Sequence, residues 1–340
     1  MDVAILGTGA MGRRFARACL FGGEPSGHID ESTVGTKPSG STDESTEQDP
    51  EATAPADNGA VDPIEQLPAI TLYGSDATAV MDAVDALEDE LHDHADSVSA
   101  DHLERVDGTT DLETAVGDAA VVIETRADDI ETVRHRLAGV EERLDDEAIL
   151  AIHVDVAEAT AAAAALERPE RAVGLSMVAP GERSDDRSGL VDGGVIEVVR
   201  ADQTDDATVT AVGDRLKRLG WTLVVVNDAP ARIADRLQLA LEVEAMRAVE
   251  TDVAAPAAID AVVEEGFGHA EGPLSSADRA GLDTRLAELQ ALGEELGPRF
   301  EPPTVLRNKV EAGQLGVKTG TGFREWDDDQ PVDGDDTDGT

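Results

Sequence analysis

Short apolar runs recur along the chain as far as residue 226, and amphipathic stretches separate them. The runs cover residues 2–6, 69–73, 119–124, 147–154, 172–177, 194–200 and 221–226, and each is typical of a buried strand. Apolar side chains at helical spacing begin near Ala10 and recur in residues 76–94 and 129–144. Strands that alternate with helices predict an α/β fold with a parallel, doubly wound sheet.

The pattern changes after Pro230, where helical spacing replaces the alternation. Ile233, Leu237 and Leu241 fall on one helical face, and further helical stretches follow to about residue 315. We therefore predict two domains, one over residues 1–229 and an all-helical one over residues 230–326. The acidic residues 327–340 are predicted to form a disordered tail.

Residues 22–68 interrupt the first domain. They consist largely of Ser, Thr, Pro, Gly and acidic residues and contain no Phe, Tyr or Trp. Such a segment cannot bury enough apolar surface to offset the cost of ordering, so we predict a disordered insertion. A functional loop is the alternative for an insertion of this length.

Acidic residues greatly outnumber basic ones. The formal net charge is −46, and the lysines are Lys37, Lys217, Lys309 and Lys318. At about 1 M ionic strength the Debye length falls to roughly 3 Å, which screens such self-repulsion. We interpret the charge as halophilic adaptation to a cytoplasm of very high salt. Nucleic acid is not expected as a partner, because no basic patch is available to neutralise phosphates.

Cysteine content and hydropathy narrow the class of protein further. Cys19 is the single cysteine, so no disulfide within the chain and no thiolate metal site is expected; its place on an apolar helix face indicates packing. No run of eighteen apolar residues is present, so no membrane span is predicted. Because the N-terminal apolar run leads directly into glycines, we expect no signal peptide and a cytoplasmic protein.

A glycine-rich turn, "GTGAMG", joins the first apolar run to the first helix. In a Rossmann unit the first glycine makes the tight turn, and the second lets the backbone approach a pyrophosphate. The third lets helix and strand pack closely. Gly7, Gly9 and Gly12 fit these places, and Met11 lies in the same loop. Dinucleotide binding is favoured over a flavin or a turn without ligand.

The acid that binds the ribose is expected at the end of the second strand. Gly74 stands there, and Asp76 follows two residues later, so Asp76 is the candidate. No arginine is nearby in the sequence to take a 2′-phosphate, which favours NAD.

Longer segments carry a family likeness. They include "GTGAMG", "DGTTDLETAVGDAAVVIE", "VIEVVRADQTDD" and "GWTLVVVNDAP", and the most specific are "AIDAVVEEGFGHAEGPLSSADRAGLD" (258–283) and "AGQLGVKTGTGFREW" (312–326). On these segments the chain resembles the NAD-dependent 3-hydroxyacyl-CoA dehydrogenases of fatty-acid β-oxidation and butanoate metabolism. The resemblance spans the chain except for residues 22–68 and the tail.

The resemblance implies a fold and a reaction. It implies an N-terminal Rossmann-type domain that binds NAD, and a C-terminal all-helical domain that completes the acyl-CoA cleft and forms a homodimer. A 3-hydroxyacyl-CoA would be oxidised to the 3-oxoacyl-CoA. In the family a histidine takes the hydroxyl proton as hydride leaves C3, a glutamate orients that histidine, and a serine and asparagines line the cleft. A positioned base contributes about 10²–10⁴ in rate.

The chain departs from the family pattern at the cleft. In "GLSMVAP", Ser176 stands at the histidine's place and Ala179 at an asparagine's. "IHVD" (152–155) replaces the family's S-N-T-S, and Asp235 replaces the asparagine that begins the C-terminal domain. The orienting glutamate is retained as Glu197. Two further acidic residues also match the family and are candidates for cofactor binding, Glu124 and Asp128.

The altered cleft leaves two functional classes open. Ser176 cannot replace a histidine as a base near neutral pH, because its hydroxyl only donates or accepts hydrogen bonds. His153, oriented by Asp155 or Glu197, is one candidate for a relocated base, although a polar histidine that lines a changed pocket is favoured. Glu197 alternatively faces solvent or pairs with an arginine. The protein is thus either an active dehydrogenase or a homologue that binds NAD or acyl-CoA without turnover, and no metal is predicted.

Overall fold

The computed structural model describes residues 2–20, 68–92, 105–126, 128–153, 158–178, 195–217, 221–327 and 329–332. Apart from Pro68, the predicted disordered insertion lies outside these residues. Asp155 and Ala179 also lie outside them.

The described part of the first domain forms an eight-stranded sheet. Its strands are β1 (Val3–Leu6), β2 (Ile70–Tyr73), β3 (Val106–Thr109), β4 (Val121–Glu124), β5 (Ile149–His153), β6 (Ala172–Val178), β7 (Val195–Arg200) and β8 (Thr222–Asn227). They lie in the order β3-β2-β1-β4-β5-β6-β7-β8. The sheet and the helical domain that follows it confirm the predicted α/β fold class.

The alternation of strands and helices predicts a parallel sheet, but the observed sheet is not parallel throughout. Strands β1 to β6 are parallel, whereas β7 pairs with β6 antiparallel and β8 pairs with β7 in parallel. Parallel neighbours need a crossover, usually a helix, and the sequence between β6 and β7 has no helical spacing of apolar residues. The pattern also missed β3, because "VDGT" offers a single large apolar residue.

Helices cover both faces of the sheet. They are α1 (Ala10–Leu20), α2 (Ala77–His92), α3 (Leu112–Val116), α4 (Ile130–Glu141), α5 (Ala159–Ala163) and α6 (Asp206–Lys217). Phe15 and Leu20 of α1 and Leu87 of α2 pack in the core of one face. Residues of α3, α4 and α5, among them Leu137, pack in the core of the other. Cys19 is buried in the first core as predicted, and burial raises its thiol pKa to about 12.

The C-terminal part is helical and has a core of its own. Its helices are α7 (Ile233–Glu250), α8 (Pro256–Ala261), α9 (Pro273–Ala280), α10 (Leu282–Leu296) and α11 (Thr304–Glu311). Large apolar side chains such as Met246, Leu274 and Leu289 fill this core. A short antiparallel pair, β9 (Trp326–Asp327) with β10 (Gln330–Pro331), closes the domain. The first residues of the predicted disordered tail are therefore ordered in a strand pair. Strand β9 is held in place because the indole of Trp326 donates a hydrogen bond to buried Asp278 at 2.9 Å.

In the described ranges, no helix combines the length and the apolar composition that crossing a membrane requires.

Candidate active site

The glycine-rich turn connects β1 to α1 at the carboxyl edge of the sheet. Gly7 has a φ of +136°, a conformation that L side chains rarely adopt. A Cβ on Gly12 would lie 2.1 Å from the carbonyl oxygen of Gly7, so α1 can pack this closely against the turn only if residue 12 is glycine. A Cβ on Gly9 would meet nothing within 4 Å, which leaves its backbone open beside the N-terminus of α1.

This arrangement fits a dinucleotide. An open backbone at Gly9 lets a pyrophosphate approach the amide groups and the positive end of the α1 dipole. Met11 is half-buried and packs against the core beneath α1, so it supports the helix. The geometry at Gly7, Gly9 and Gly12 is thus compatible with the predicted cradle, and their contact with NAD stays a proposal.

The ribose end of the cradle differs from the usual pattern. A Cβ on Gly74, after β2, would lie 2.9 Å from Cγ2 of Thr8, so an acidic side chain there requires Thr8 to move. The carboxylate of Asp76 accepts a hydrogen bond from the amide of Ala79 at 2.8 Å and caps α2. Contact between Asp76 and a ribose stays a proposal.

Two arginines surround Glu124 at the end of β4. Arg126 pairs with the buried Glu124 carboxylate, Nη2 to Oε2 at 2.6 Å and Nε to Oε1 at 2.9 Å. Arg136 lies 3.4 Å from Oε2 of Glu124 and also pairs with Asp128. The guanidinium of Arg126 lies over the ring of Tyr73, 5.7 Å from its centroid. Glu124 and Asp128 thus form a charge-balanced cluster with Arg126 and Arg136 beside the glycine turn.

The sequence analysis missed both arginines. Arg126 directly follows the strand that ends in Glu124 and Thr125, and this position was the available signal. Arg136 lies on α4, ten residues further on, and its contact with Glu124 follows from the fold alone. Asp128 and Glu124 thus stabilise an arginine cluster, and direct contact of either carboxylate with the cofactor stays a proposal.

Ser176 and Glu197 face each other across β6 and β7. The register pairs them directly, so their side chains leave the same face of the sheet. Leu6, Glu124, Ile152 and Gly174 form one row across β1, β4, β5 and β6. Ser176 is two residues beyond this row, about 7 Å further along the strand direction. Ser176 and Glu197 therefore lie past the carboxyl edge at which the glycine cradle begins.

Glu197 connects the sheet to the helical domain. It is 3% exposed, and its Oε1 accepts a hydrogen bond from the amide of Ala234 at 3.1 Å, in the first turn of α7. Its Oε2 is buried and makes no hydrogen bond in the described structure. Asp235, one residue on, pairs with Arg232 at 2.8 Å.

The surroundings shift the pKa of Glu197 upwards. Burial is the main cause and raises the pKa above its ordinary value. The Ala234 amide opposes the shift, the charge of Asp235 adds to it, and Arg232 opposes it. The predicted alternative of a solvent-facing glutamate is therefore wrong, and Asp235 is brought next to Glu197. Ala234 and Arg232 carry no chemical signal in the sequence that could have pointed to this site.

His153 lies on the other face of the sheet. It pairs in register with Leu175, which packs in the core beneath α1, and its ring meets that of Phe15 edge-on at 5.7 Å. Glu197 projects from the opposite face and does not orient His153, contrary to that hypothesis. The physical reason is the alternation of side chains along a strand, which separates the faces of Leu175 and Ser176.

A glycine turn of this geometry, on a doubly wound sheet joined to a helical domain, is typical of dinucleotide-binding enzymes. The family model described as "3-hydroxyacyl-CoA dehydrogenase, NAD binding domain" matches residues 68–229, and "3-hydroxyacyl-CoA dehydrogenase, C-terminal domain" matches residues 233–326. The chain belongs to the 3-hydroxyacyl-CoA dehydrogenase family, an oxidoreductase family, and NAD is its cofactor.

Curated relatives match the chain in sequence, and solved structures match it in fold. The chain is 32% identical over 225 residues to a probable 3-hydroxybutyryl-CoA dehydrogenase of Deinococcus radiodurans, covering 66% of this chain and 77% of that protein. It is 36% identical over 221 residues to a 3-hydroxybutyryl-CoA dehydrogenase of Bradyrhizobium diazoefficiens, covering 64% and 71%. Its fold matches the crystal structure of (S)-3-hydroxybutyryl-CoA dehydrogenase from Ralstonia eutropha with a TM-score of 0.73, at 24% identity over 96% and 99% of the two chains.

Proposed function

We propose that this protein oxidises a 3-hydroxyacyl-CoA to the 3-oxoacyl-CoA with NAD. The observation that supports this most directly is the position of Ser176 and Glu197 just beyond the carboxyl edge at which the glycine cradle lies. A substrate bound between the sheet and α7 would then meet both the cofactor and polar side chains. The names of the relatives indicate a short acyl chain such as 3-hydroxybutyryl.

In this proposal the two domains have different roles. NAD, when bound, supplies the acceptor for the hydride that leaves C3. Residues 1–229 hold NAD, with Gly9 at the pyrophosphate and Arg126 as a positive group nearby. Residues 230–326 close the acyl-CoA cleft, where the first turn of α7 meets Glu197.

The second candidate function is NAD or acyl-CoA binding without turnover. Two observations favour it: Ser176 stands where the resemblance places the catalytic histidine, and His153 faces away from Glu197.

One assay separates the two candidates. Purified protein in molar KCl is mixed with 3-hydroxybutyryl-CoA and NAD, and NADH is followed by absorbance. Steady NADH formation supports the dehydrogenase. Binding of NAD and acyl-CoA by calorimetry, with no NADH formed at high enzyme concentration, supports the binding protein.

A homodimer is part of the proposal. Leu237 is 67% exposed and shares a face of α7 with exposed Ile233, while Val262 and Phe267 are also exposed apolar residues of the helical domain. Contiguous exposed apolar surface marks interaction sites. Sedimentation of the wild type and of Leu237→Asp tests this; a wild-type monomer contradicts it.

We place this enzyme in the cytoplasm, which cell fractionation would check.

A further inference from the structure

Glu197 is an anomaly within β7. Its strand neighbours Ile196 and Val198 are buried in an apolar core, and Val224 is its register partner on β8. Oε1 accepts a hydrogen bond from the amide of Ala234, and Oε2 is buried without a hydrogen bond in the described structure. Leaving a buried acceptor unpaired costs free energy, so such a group in a folded protein calls for an explanation.

The other buried carboxylates show what a structural role looks like. Asp260 accepts from two amides and a hydroxyl, and Asp278 accepts from two amides and an indole. Glu124 pairs with Arg126 through both oxygens. Glu242 also has a buried Oε2 without a hydrogen bond, but Nε of Arg285 lies 2.8 Å from that oxygen and neutralises it. Glu197 differs in its place, because its Oε2 lies at the edge of the sheet where the cofactor cradle lies.

We propose that Glu197 is the base of the reaction and receives the substrate proton through the hydroxyl of Ser176. This inference rests on the proposed function. NAD, when bound, would accept the C3 hydrogen with its electron pair as hydride, so that the C3–O bond becomes C=O. The substrate O–H proton moves to Ser176 Oγ, whose own proton moves to Glu197 Oε2. The products are the 3-oxoacyl-CoA, NADH and protonated Glu197.

Ser176 suits the role of a relay. A serine hydroxyl accepts one proton while donating its own, so it ends the step unchanged. Directly paired residues of an antiparallel ladder have Cβ atoms about 4.5–5.5 Å apart, within reach of a glutamate that bends toward a serine. Glu197 Oε1 meanwhile stays bonded to the Ala234 amide, which fixes the carboxylate against α7.

The groups that face Glu197 set the pH at which this base operates. They are the amides of Ala234 and Ile233, the charged Arg232 and Asp235 at the start of α7, Ser176 from β6 and the apolar Val224 from β8. Burial together with Asp235 outweighs the amides and Arg232, and the pKa is raised. A base must be deprotonated to accept a proton, so oxidation slows as pH falls through this raised pKa.

The test compares Glu197→Gln with a matched substitution, Glu250→Gln, at the exposed end of α7. We expect Glu197→Gln to lower kcat about 10²–10⁴-fold, the contribution of a positioned base, and to abolish the acidic limb of the pH profile. NAD affinity by calorimetry stays within twofold of wild type, and Glu250→Gln behaves as wild type throughout. Ser176→Ala lowers kcat but leaves the acidic limb in place.

Chemical rescue gives a readout that a structural role would not produce. In Glu197→Ala, added acetate restores NADH formation in proportion to its concentration, whereas chloride at equal ionic strength does not. Wild-type rates in Glu197→Gln, with the acidic limb retained, overturn the inference and leave the dehydrogenase standing. A wild type that binds NAD but forms no NADH overturns the proposed function and this inference with it.

Discussion

Gly9 and Gly12 belong to one motif but meet different surroundings. A side chain at Gly9 enters open space, whereas one at Gly12 meets the backbone of Gly7. We therefore expect Gly9→Val to fold normally and to lose NAD affinity at least tenfold, because its side chain takes the place of the pyrophosphate. Gly12→Val should lower the melting temperature as well.

Calorimetry of NAD binding and thermal unfolding, both in molar KCl, check this pair. Gly139→Val is the control, since a Cβ there also meets nothing within 4 Å but lies on α4, away from the cradle. Equal NAD affinity in Gly9→Val and wild type would contradict the cradle.

Ser176 carries the second prediction at this scale. If Glu197 works through a serine relay, an imidazole in place of the hydroxyl should be a better base near neutral pH. We expect Ser176→His to raise kcat for 3-hydroxybutyryl-CoA and to give an acidic limb near the ordinary histidine pKa of about 6.5. The gain should be incomplete, because Asp235 stands where the resemblance places an asparagine, and its carboxylate repels negative charge that develops on the substrate oxygen.

The pH dependence of kcat in Ser176→His and in the double variant Ser176→His/Glu197→Gln measures this. The double variant should lose most of the gain, since the imidazole then lacks its carboxylate. An unchanged kcat in Ser176→His would show that the site cannot seat a histidine against Glu197.

At the scale of elements, α9 depends on one buried carboxylate. Asp260 accepts hydrogen bonds from the Leu274 amide at 2.9 Å and from the amide and hydroxyl of Ser275 at 3.1 and 2.7 Å. Asp260→Ala leaves these buried donors unpaired, so we expect it to lower the free energy of unfolding by about 2–3 kcal/mol. Asp260→Asn keeps one acceptor oxygen and should cost less.

Urea unfolding in high KCl measures both variants. The helical domain is the part affected, so NAD affinity serves as the internal control and should not change. If Asp260→Ala and wild type unfold at the same urea concentration, water or a rearranged side chain replaces the cap.

The elements themselves show which features can be read from a sequence. Amphipathic spacing and apolar runs located α1, α2, α4 and strands β1, β2 and β4 to β7, because burial leaves a periodic signal. The same pattern located α7 and β8, although α7 buries Leu239, Val243 and Met246 instead of the exposed Ile233 and Leu237, and β8 is largely exposed. It could not locate β3, whose short sequence is mostly polar, or the reversed direction of β7 and β8. The direction of a strand depends on the connection that leads into it, and an apolar run gives the same pattern in either direction.

The candidate site shows the same limit more sharply. Gly7 and Gly12 were predictable because backbone conformation and close packing require glycine there, whereas Gly9 was predictable only from the space that a pyrophosphate needs. The face on which His153 lies depends on the register of β5 with β6, which no local pattern specifies. The unpaired Oε2 of Glu197 depends on the contact of β7 with the start of α7, between residues 37 positions apart.

At the scale of the whole molecule, the candidate site lies where the sheet domain, which has a core on each face, meets the separately packed helical domain. The sheet and its helices bury their own apolar residues, and the helical domain buries another set. Glu197 joins them through the Ala234 amide, and Ala231, just before α7, has a φ of 53° that non-glycine residues seldom adopt. The geometry of the junction is therefore set by the chain segment that also carries Arg232 and Asp235.

The net charge of −46 leads to the last prediction, that the fold needs high salt. Self-repulsion of like charges opposes the compact state, and raising ionic strength from about 0.1 M to about 1 M shortens the Debye length from about 10 Å to about 3 Å. We expect the melting temperature to rise by many degrees over this range of KCl. Sucrose at equal osmolality stabilises by exclusion but does not screen charge, so it should give a smaller rise. A melting temperature that is flat in KCl, or equal increases in KCl and sucrose, would contradict halophilic adaptation.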